Sequence, residues 1–299
     1  MPKIPHLVQY QGSKRILATQ ILAYMPAKFG RLIEPFSGMA AISIAAARNN
    51  RAASYHLNDV NAPLIGMLRE VIEFPEKIAM DYEKLWQAQF NCPDNHAGHF
   101  FAVREKFNSG DTEPAIMLYL LARCVKGSVR YGKQGNFNQS PDKRRHGTRP
   151  ANMAENIRAI ASLMRGKTFL SACDYKEILK DASKGDIVYM DPPYQGVCAK
   201  RDGRYYSAIE FGEFCAALDC LNKRNIDFLV SYDGACGEKS YGQDLPPNLE
   251  CVKYLLNAGK STQQTLLGKN KITYEALYVS KNLAKKVNFI NKNIQMNLL

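Results

Sequence analysis

Residues 186–194 read DIVYMDPPY, and few stretches constrain a fold more tightly. Ile187, Val188, Tyr189 and Met190 have the character of a buried strand. Asp191 follows, and then Pro192 and Pro193, neither of which has a backbone N–H to give to a sheet ladder. The strand must therefore stop at Asp191. Its carboxyl end presents an acid, a rigid pair of carbonyls and the Tyr194 ring. In open α/β sheets this edge is where ligands bind.

The rest of the chain supplies the setting for such a strand. From Gln11 to Asn61 helix and strand patterns alternate. Ser13 is placed to cap a helix over SKRILATQILAYM, RLIEPF is a short strand, SGMAAISIAAARNN a small-residue helix ended by Asn49 and Asn50, and ASYHLND a second strand. The rhythm returns after Pro150: helix, strand KTFLSA, helix DYKEILKDA, strand DIVYM, helix EFGEFCAALDCLNKRN, strand DFLVSY. LECVKYLL and YEALYVSK then form a hairpin pair. This is an α/β pattern. Between the two parts, PEKIAMDYEKLWQAQF, GHFFAVREKF and EPAIMLYLLARCV are helical. They lead into the Gly-rich, basic KGSVRYGKQGNFNQSPDKRRHGTRP, read as surface loops with a β-hairpin. The expected organisation is one α/β domain formed by 1–74 and 151–299, with 75–150 inserted. The Lys/Asn-rich C-terminal tail is expected to fray.

Charge narrows the partner. Lys and Arg number 40 against 28 Asp and Glu, a formal net charge of +12 in 299 residues. Such an excess suits a polyanion. No apolar run is long enough for a membrane span and no leader pattern opens the chain. The eight cysteines include no CxxC pair, as expected of a reduced, cytoplasmic compartment. Cys92, His96 and His99 have spacings a metal could use, with Cys124 as a conceivable addition. No second paired half accompanies them, so they are read as metal-free loop residues. His56 and His146 have no nucleophile or carboxylate partner in sequence and are read as strand and loop residues.

Three further stretches carry chemistry. EPFSGMAA (34–41) closes the first strand and opens a helix. Its small residues let backbone approach a ligand and its helix N-terminus adds positive potential. It is neither GxGxxG nor a GKS/T loop, so it suits a cofactor with an amino-acid end and a nucleoside end better than a bare phosphate. Asp59, at the end of the second strand, is placed to accept ribose hydroxyls. YQGSK (10–14) adds a ring, a tight turn and a cation. At the opening motif, Asp191 and the Pro192 carbonyl are two fixed acceptors and Tyr194 a stacking face, a set that fits a planar base with an exocyclic amine, adenine or cytosine. Two acceptors on one amine localise its lone pair for attack on an electrophilic methyl group.

YQGSK, EPFSGMAA, LND and DPPY, in that order with a basic insertion before DPPY, resemble the Dam-like family of adenine-N6 DNA methyltransferases. The likeness runs from Tyr10 to Tyr194 and weakly on to YEALYVS. It implies a Rossmann-like S-adenosylmethionine methyltransferase fold, with a mixed, mostly parallel seven-strand sheet and an inserted target-recognition domain. It also implies roles. Tyr10 and Lys14 border the cofactor. Glu34, Pro35, Phe36 and Gly38 form its floor. Asp59 holds its ribose, and Asp174 lies near its adenine. Asp191, Pro192, Pro193 and Tyr194 grip a flipped-out adenine, and Asp191 also borders the cofactor. Arg130, Tyr131, Asn136 and Asn138 are candidate contacts of a target-reading hairpin. Lys143, Arg144 and Arg145 are set to neutralise phosphates of double-stranded DNA, where the bland reading is a solvated charge run. The loop GVCAKRDGRYYS is expected to order over DNA or cofactor. One departure stands out: Ala40 replaces the second glycine of the commoner Gly-x-Gly form, tolerable if the chain there is helical.

Other readings share these residues. An N4-cytosine DNA methyltransferase or an RNA adenine methyltransferase would use the same amine chemistry. A protein-glutamine methyltransferase favours Asn where Asp191 stands and needs no basic insertion. A non-catalytic nucleic-acid-binding module would need no methyl donor. A monomer, with a restriction endonuclease as a conceivable companion, is expected.

Overall fold

The computed structural model describes residues 4–92, 95–193, 209–236, 239–240, 244–260 and 272–287. Tyr194, the loop GVCAKRDGRYYS and the tail beyond 287 lie outside the described residues, so the readings placed on them are not tested by it. Among the described residues eight strands make one sheet: β1 (Phe29–Glu34), β2 (Ala52–Asn58), β3 (Thr168–Ser171), β4 (Ile187–Met190), β5 (Asp227–Cys236), the two-residue β6 (Lys239–Ser240), β7 (Cys251–Lys260) and β8 (Ile272–Ser280). The order is β3-β2-β1-β4-β5-β8-β7, with β6 paired to β5 off this path. β3, β2, β1, β4 and β5 are mutually parallel, and β8 and β7 complete the edge as an antiparallel hairpin. This is the mixed, mostly parallel seven-strand path that the family resemblance implies, plus a stub.

Its parallel part is buried on both faces, so β4 reads as an unbroken apolar run. Helices α1 (Ala18–Leu22), α2 (Ala41–Arg48), α3 (Ala62–Glu73) and α7 (Pro150–Met164) contribute Ile21, Ala45, Leu68 and Ile157 to one apolar cluster with Leu32, Tyr55, Ile187 and Tyr189. α8 (Tyr175–Asp181) and α9 (Phe211–Lys223) pack Ile178, Phe214 and Leu218 with Ile33, Val188, Met190 and Phe228 in a second cluster. A final helix spans 281–287.

Residues 75–150 hold α4 (Pro75–Ala88), α5 (Asn95–Asn108), α6 (Pro114–Arg123) and the hairpin region. They do not build a core of their own. Leu118, Phe100 and Phe137 belong to the same apolar cluster as α3, α7 and the sheet. The expected hairpin forms around the Tyr131–Phe137 bridge, with Asn138 N donating to Arg130 O (3.0 Å) and Gly132 N to Asn136 O (2.8 Å). Phe137 is buried. The Asn108 side chain, at the end of α5, both donates to its carbonyl (3.1 Å) and accepts from its N–H (2.8 Å). The hairpin is thus anchored by one inward ring and exposes residues 133–136.

Two expectations need correction. The helix predicted from Ser13 is broken: Ser13 caps only a 3-10 turn, Lys14–Ile16, before the short α1. Ala40 is not helical. It sits at φ 54°, ψ 36°, left-handed, just before α2 begins at Ala41. The turn there follows Gly38 at φ 48° and is closed by Ala40 N donating to Ser37 O (2.7 Å), so Ala40 carries the conformational cost that a second glycine would have avoided.

Candidate active site

β1 has β2 on one side and β4 on the other, so the connections leave it in opposite directions. The sheet opens at this switch point, at the strands' carboxyl ends. A cleft of about 490 Å3 lies there, a volume within the small-molecule range of about 300–1,000 Å3. Its walls include Tyr10, Lys14, Glu34, Pro35, Phe36, Gly38, Asp59, Asp174, Asp191, Pro192 and Pro193. The structure thus brings to one cavity every described residue that the resemblance assigns to cofactor and target base. Tyr131 joins them. Arg130, Asn136, Asn138, Lys143, Arg144 and Arg145 do not line it and are exposed.

Each wall is held by a nameable device. Asn58, fully buried at the end of β2, donates to Pro35 O and Cys173 O (3.0 Å each) and accepts from Ser171 Oγ (2.8 Å) and Cys173 N (3.1 Å). One amide therefore ties together the ends of β1, β2 and β3. Asp59, the next residue, accepts Gly38 N on Oδ2 (3.1 Å) and Asn61 N on Oδ1 (3.0 Å). Burial pushes its acid up, against the pull of those two N–H groups. Each oxygen spends one acceptor position on backbone and retains one, the requirement for a pair of ribose hydroxyls.

Gly38 has two reasons to lack a side chain. Its φ is positive, and a Cβ would lie 3.3 Å from Tyr10 Cε1. Glu34 ends β1 with its carboxylate inside, accepting Ser43 N of α2 at 2.7 Å. Burial, reinforced by the charge of Asp191, raises it to about 7. Asp174 caps α8 by accepting Lys176 N (2.8 Å) and stands exposed at the rim.

At the lip, Lys14 Nζ lies 2.9 Å from Asp191 Oδ1 and 3.3 Å from Glu275 Oε1 of β8, and donates to Gly12 O (3.2 Å). Lys14 is buried, which by itself lowers an ammonium's pKa. The two carboxylates outweigh that and hold it above its ordinary value. The hydrogen bond between Tyr189 Oη and Ser231 Oγ (2.7 Å) joins β4 to β5 one turn of the pleat before Asp191. The lip is thus braced from three elements, and the prolines behind it keep the backbone from pairing further.

Sequence reasoning missed several of these residues. Glu275 lies in a strand that reads only as hairpin, and nothing local shows that it reaches Lys14. Asn58 reads as a strand stop. Asn61 caps α3 by accepting Leu64 N (3.3 Å), and the S/T/D/N-before-helix signal is the one that could have found it. Of the residues considered for a metal, Cys92 is a free thiol, and the two imidazoles sit on helix α5 rather than in a loop, facing carbonyls: His96 Nδ1 lies 3.1 Å from Gln89 O and His99 Nε2 3.0 Å from Leu85 O. Among the described residues no group of three such ligands converges. His56 rests on Ser171 Oγ (2.8 Å) in the sheet and His146 packs against His96 in a loop.

The basic loop has an internal support. Arg123 of α6 is buried, and its guanidinium donates to Gln89 Oε1 (2.9 Å) and to the carbonyls of Asp142 (3.0 Å) and Arg145. It holds from beneath the turn that displays Lys143, Arg144 and Arg145.

Sheet order and cleft together define a Rossmann-like, mostly parallel α/β fold with its ligand site at the strands' carboxyl ends. The chain belongs to the D12 class N6 adenine-specific DNA methyltransferase family, whose model matches residues 10–290. It is 30% identical over 216 residues to the DNA adenine methylase of Serratia marcescens, covering 71% of this chain and 74% of that one. With the DNA adenine methylase of Haemophilus influenzae it shares 29% over 218 residues, 71% and 72% of the two chains. With the type II methyltransferase M1.LlaDCHI of Lactococcus lactis subsp. cremoris it shares 26% over 194 residues, 62% and 64%. The reaction is methylation of adenine N6 in DNA. The cytosine, RNA, protein-glutamine and non-catalytic readings are set aside by this membership. Among the described residues no helix is long and apolar enough to cross a membrane.

Proposed function

We propose that the methyl donor is S-adenosylmethionine, that it occupies the cleft at the ends of β1, β2 and β4, and that the lip formed by Asp191 and Pro192 receives a flipped-out adenine from duplex DNA. One observation carries the reading: the Asp191 carboxylate stands on the wall of the same cavity as Gly38 and Asp59, fixed by Lys14 at 2.9 Å.

The cavity's own chemistry supports this donor. Asp59 has two acceptor positions left, as above. Ser37 Oγ and Tyr175 Oη are buried without a hydrogen-bond partner among the described residues, and both residues line the cleft. Buried hydroxyls are ordinarily paired, so these two await a polar ligand. Phe36, Pro35, Met39 and Ile42 supply apolar wall.

When bound, S-adenosylmethionine supplies an electrophilic methyl whose leaving thioether is neutral, so no general acid is required. The protein's part is alignment and charge. A duplex hides the amine, so the nucleotide must leave the stack, at a cost of a few kcal/mol offset by pocket and backbone contacts. Asp191 and the Pro192 carbonyl accept the two amine hydrogens and aim the lone pair; Tyr194 stacks on the base. Lys14 grips one Asp191 oxygen and so fixes the orientation of the carboxylate toward the amine. As the nitrogen–carbon bond forms and the carbon–sulfur bond breaks, the amine becomes positive and Asp191 stabilises it; the surplus N–H proton then passes to water, leaving the neutral methylamino group. Positioning supplies the greater part of the rate.

In this reading residues 75–150 form the target-recognition part of a catalytic domain made of 1–74 and 151–299. Arg130, Asn136 and Asn138 reach bases from the hairpin, and Lys143, Arg144 and Arg145 engage phosphates. The enzyme acts as a cytoplasmic monomer, alone or beside a restriction endonuclease. Sequencing of methylated bases in a host expressing the chain tests the target and yields its motif. Asp191→Ala is expected to lower methyl transfer by about 100-fold or more while S-adenosylmethionine binding stays within a few-fold of wild type. Unchanged turnover would refute the assignment.

A further inference from the structure

The family resemblance makes Tyr131 a candidate DNA contact of the hairpin. The structure gives its hydroxyl a different partner. While Arg130, Asn136 and Asn138 are exposed, Tyr131 is half-buried, lines the cleft, and donates its O–H to Asn61 Oδ1 at 3.2 Å. That same oxygen accepts Leu64 N, so Asn61 is clamped between hairpin and helix α3. Asn61 N donates in turn to Asp59 Oδ1, and Asp59 Oδ2 accepts Gly38 N. Two hydrogen bonds, one to the Asn61 side chain and one from its backbone N–H, thus connect the hairpin through Asn61 to the Asp59 carboxylate on the cleft wall. The opposite wall is tied as well: Gln11 N donates to Gly127 O (3.3 Å) at the hairpin's base, and Gln11 lies in the segment carrying Tyr10 and Lys14.

We propose that Tyr131 is a positioning residue that couples DNA engagement by the hairpin to cofactor affinity through Asn61 and Asp59. The proposal rests on the cofactor site and hairpin roles given above. Its physical content is linkage. DNA seated on the hairpin restrains Tyr131, which restrains Asn61, which holds Asp59 in the orientation that accepts the ribose. By reciprocity a bound cofactor stabilises the DNA-competent hairpin by the same factor. The Tyr131 ring serves a separate purpose, packing edge-on to Phe137 with centroids 6.1 Å apart. Tyr131→Phe therefore removes the coupling bond and keeps the hairpin's anchor.

The test is calorimetric titration of S-adenosylhomocysteine into the 299-residue chain, alone and with a duplex carrying the motif read from the expressing host. Wild type is expected to bind S-adenosylhomocysteine more tightly with duplex present. In Tyr131→Phe that enhancement is expected to fall about fivefold, the scale of one neutral hydrogen bond, with duplex affinity in the absence of S-adenosylhomocysteine unchanged. Asn61→Ser, which keeps a helix cap too short to reach Tyr131, is expected to give the same loss, and the double variant no further loss. An undiminished enhancement in Tyr131→Phe overturns the proposal, as does a wild type whose affinity ignores the duplex. Weaker duplex binding by Tyr131→Phe without S-adenosylhomocysteine makes the residue a direct DNA contact and also overturns it. Failure of wild type to bind S-adenosylhomocysteine at all strikes instead at the cofactor reading.

Discussion

Glu34→Gln isolates the energetics of an acid kept inside the cleft wall. Glu34 is 2% exposed, and burial together with the Asp191 charge raises it from an ordinary 4.5 to about 7. Between those values the folded protein keeps a proton that the unfolded chain has released. Stability therefore falls as pH rises through this window. At about 1.4 kcal/mol per pH unit, the full penalty is about 3 kcal/mol. By pH 5 about 0.8 kcal/mol of it is present, and by pH 8 nearly all. Glutamine preserves an acceptor for Ser43 N, at 2.7 Å in the wild type, and carries no charge at any pH. Urea unfolding at pH 5 and pH 8 is thus expected to show the variant gaining about 2.5 kcal/mol on wild type between the two conditions. In melting temperature that is about 4 °C for a chain of 299 residues. A stability difference that does not change with pH, or that moves toward wild type as pH rises, would refute the reasoning and place the carboxylate in contact with water.

Other perturbations probe separate links. Neutralising Lys143, Arg144 and Arg145 to Gln should lower the slope of log DNA affinity against log salt by about one for each phosphate no longer neutralised, measured by fluorescence anisotropy; an unaltered slope marks a merely solvated run. Gly127→Ala puts a Cβ 2.5 Å from Gln9 O at φ 54°. It should cost about 2 kcal/mol or more of unfolding free energy and weaken DNA-stimulated turnover, because backbone rather than a flexible side chain must yield. Ala40→Gly should change stability by less than about 1 kcal/mol, relieved left-handed strain offsetting the added unfolded-state entropy, whereas Ala40→Val should cost about 2 kcal/mol or more. Thermal melts of the two variants side by side check the contrast.

Local chemistry makes much of this protein readable from its residues. Pro192 and Pro193 cannot continue a ladder, so the end of β4 and its outward acid follow from composition alone. The alternation of strands and helices announces a parallel sheet, and ligands meet such sheets at strand carboxyl ends. Asp59, Gly38 and Lys14 are legible because each sits at a punctuation mark of that pattern. Two local features escape this kind of reading. The APLIGMLREVIE stretch forms α3 although the strand-and-helix alternation assigns it no element, and Ala40 reads as helical although its left-handed turn is imposed by the Ser37–Ala40 hydrogen bond and the packing of Tyr10 over Gly38.

What lies beyond the sequence is everything that depends on distant segments meeting. Glu275 reaches Lys14 across 261 positions because β8 inserts between β5 and β7 (275 − 14), and no periodicity encodes that order. Arg123 supports a loop some twenty residues away because buried donors must find acceptors, and the nearest are carbonyls of the basic turn. Tyr131 has a ring suited to a base and a hydroxyl suited to a phosphate, yet burial directs the hydroxyl to Asn61. Residue type and local spacing determined what each group is able to do; the folded chain decided which partner each group has, because hydrogen bonds and ion pairs are set by distance in space and only short-range ones are set by distance along the chain.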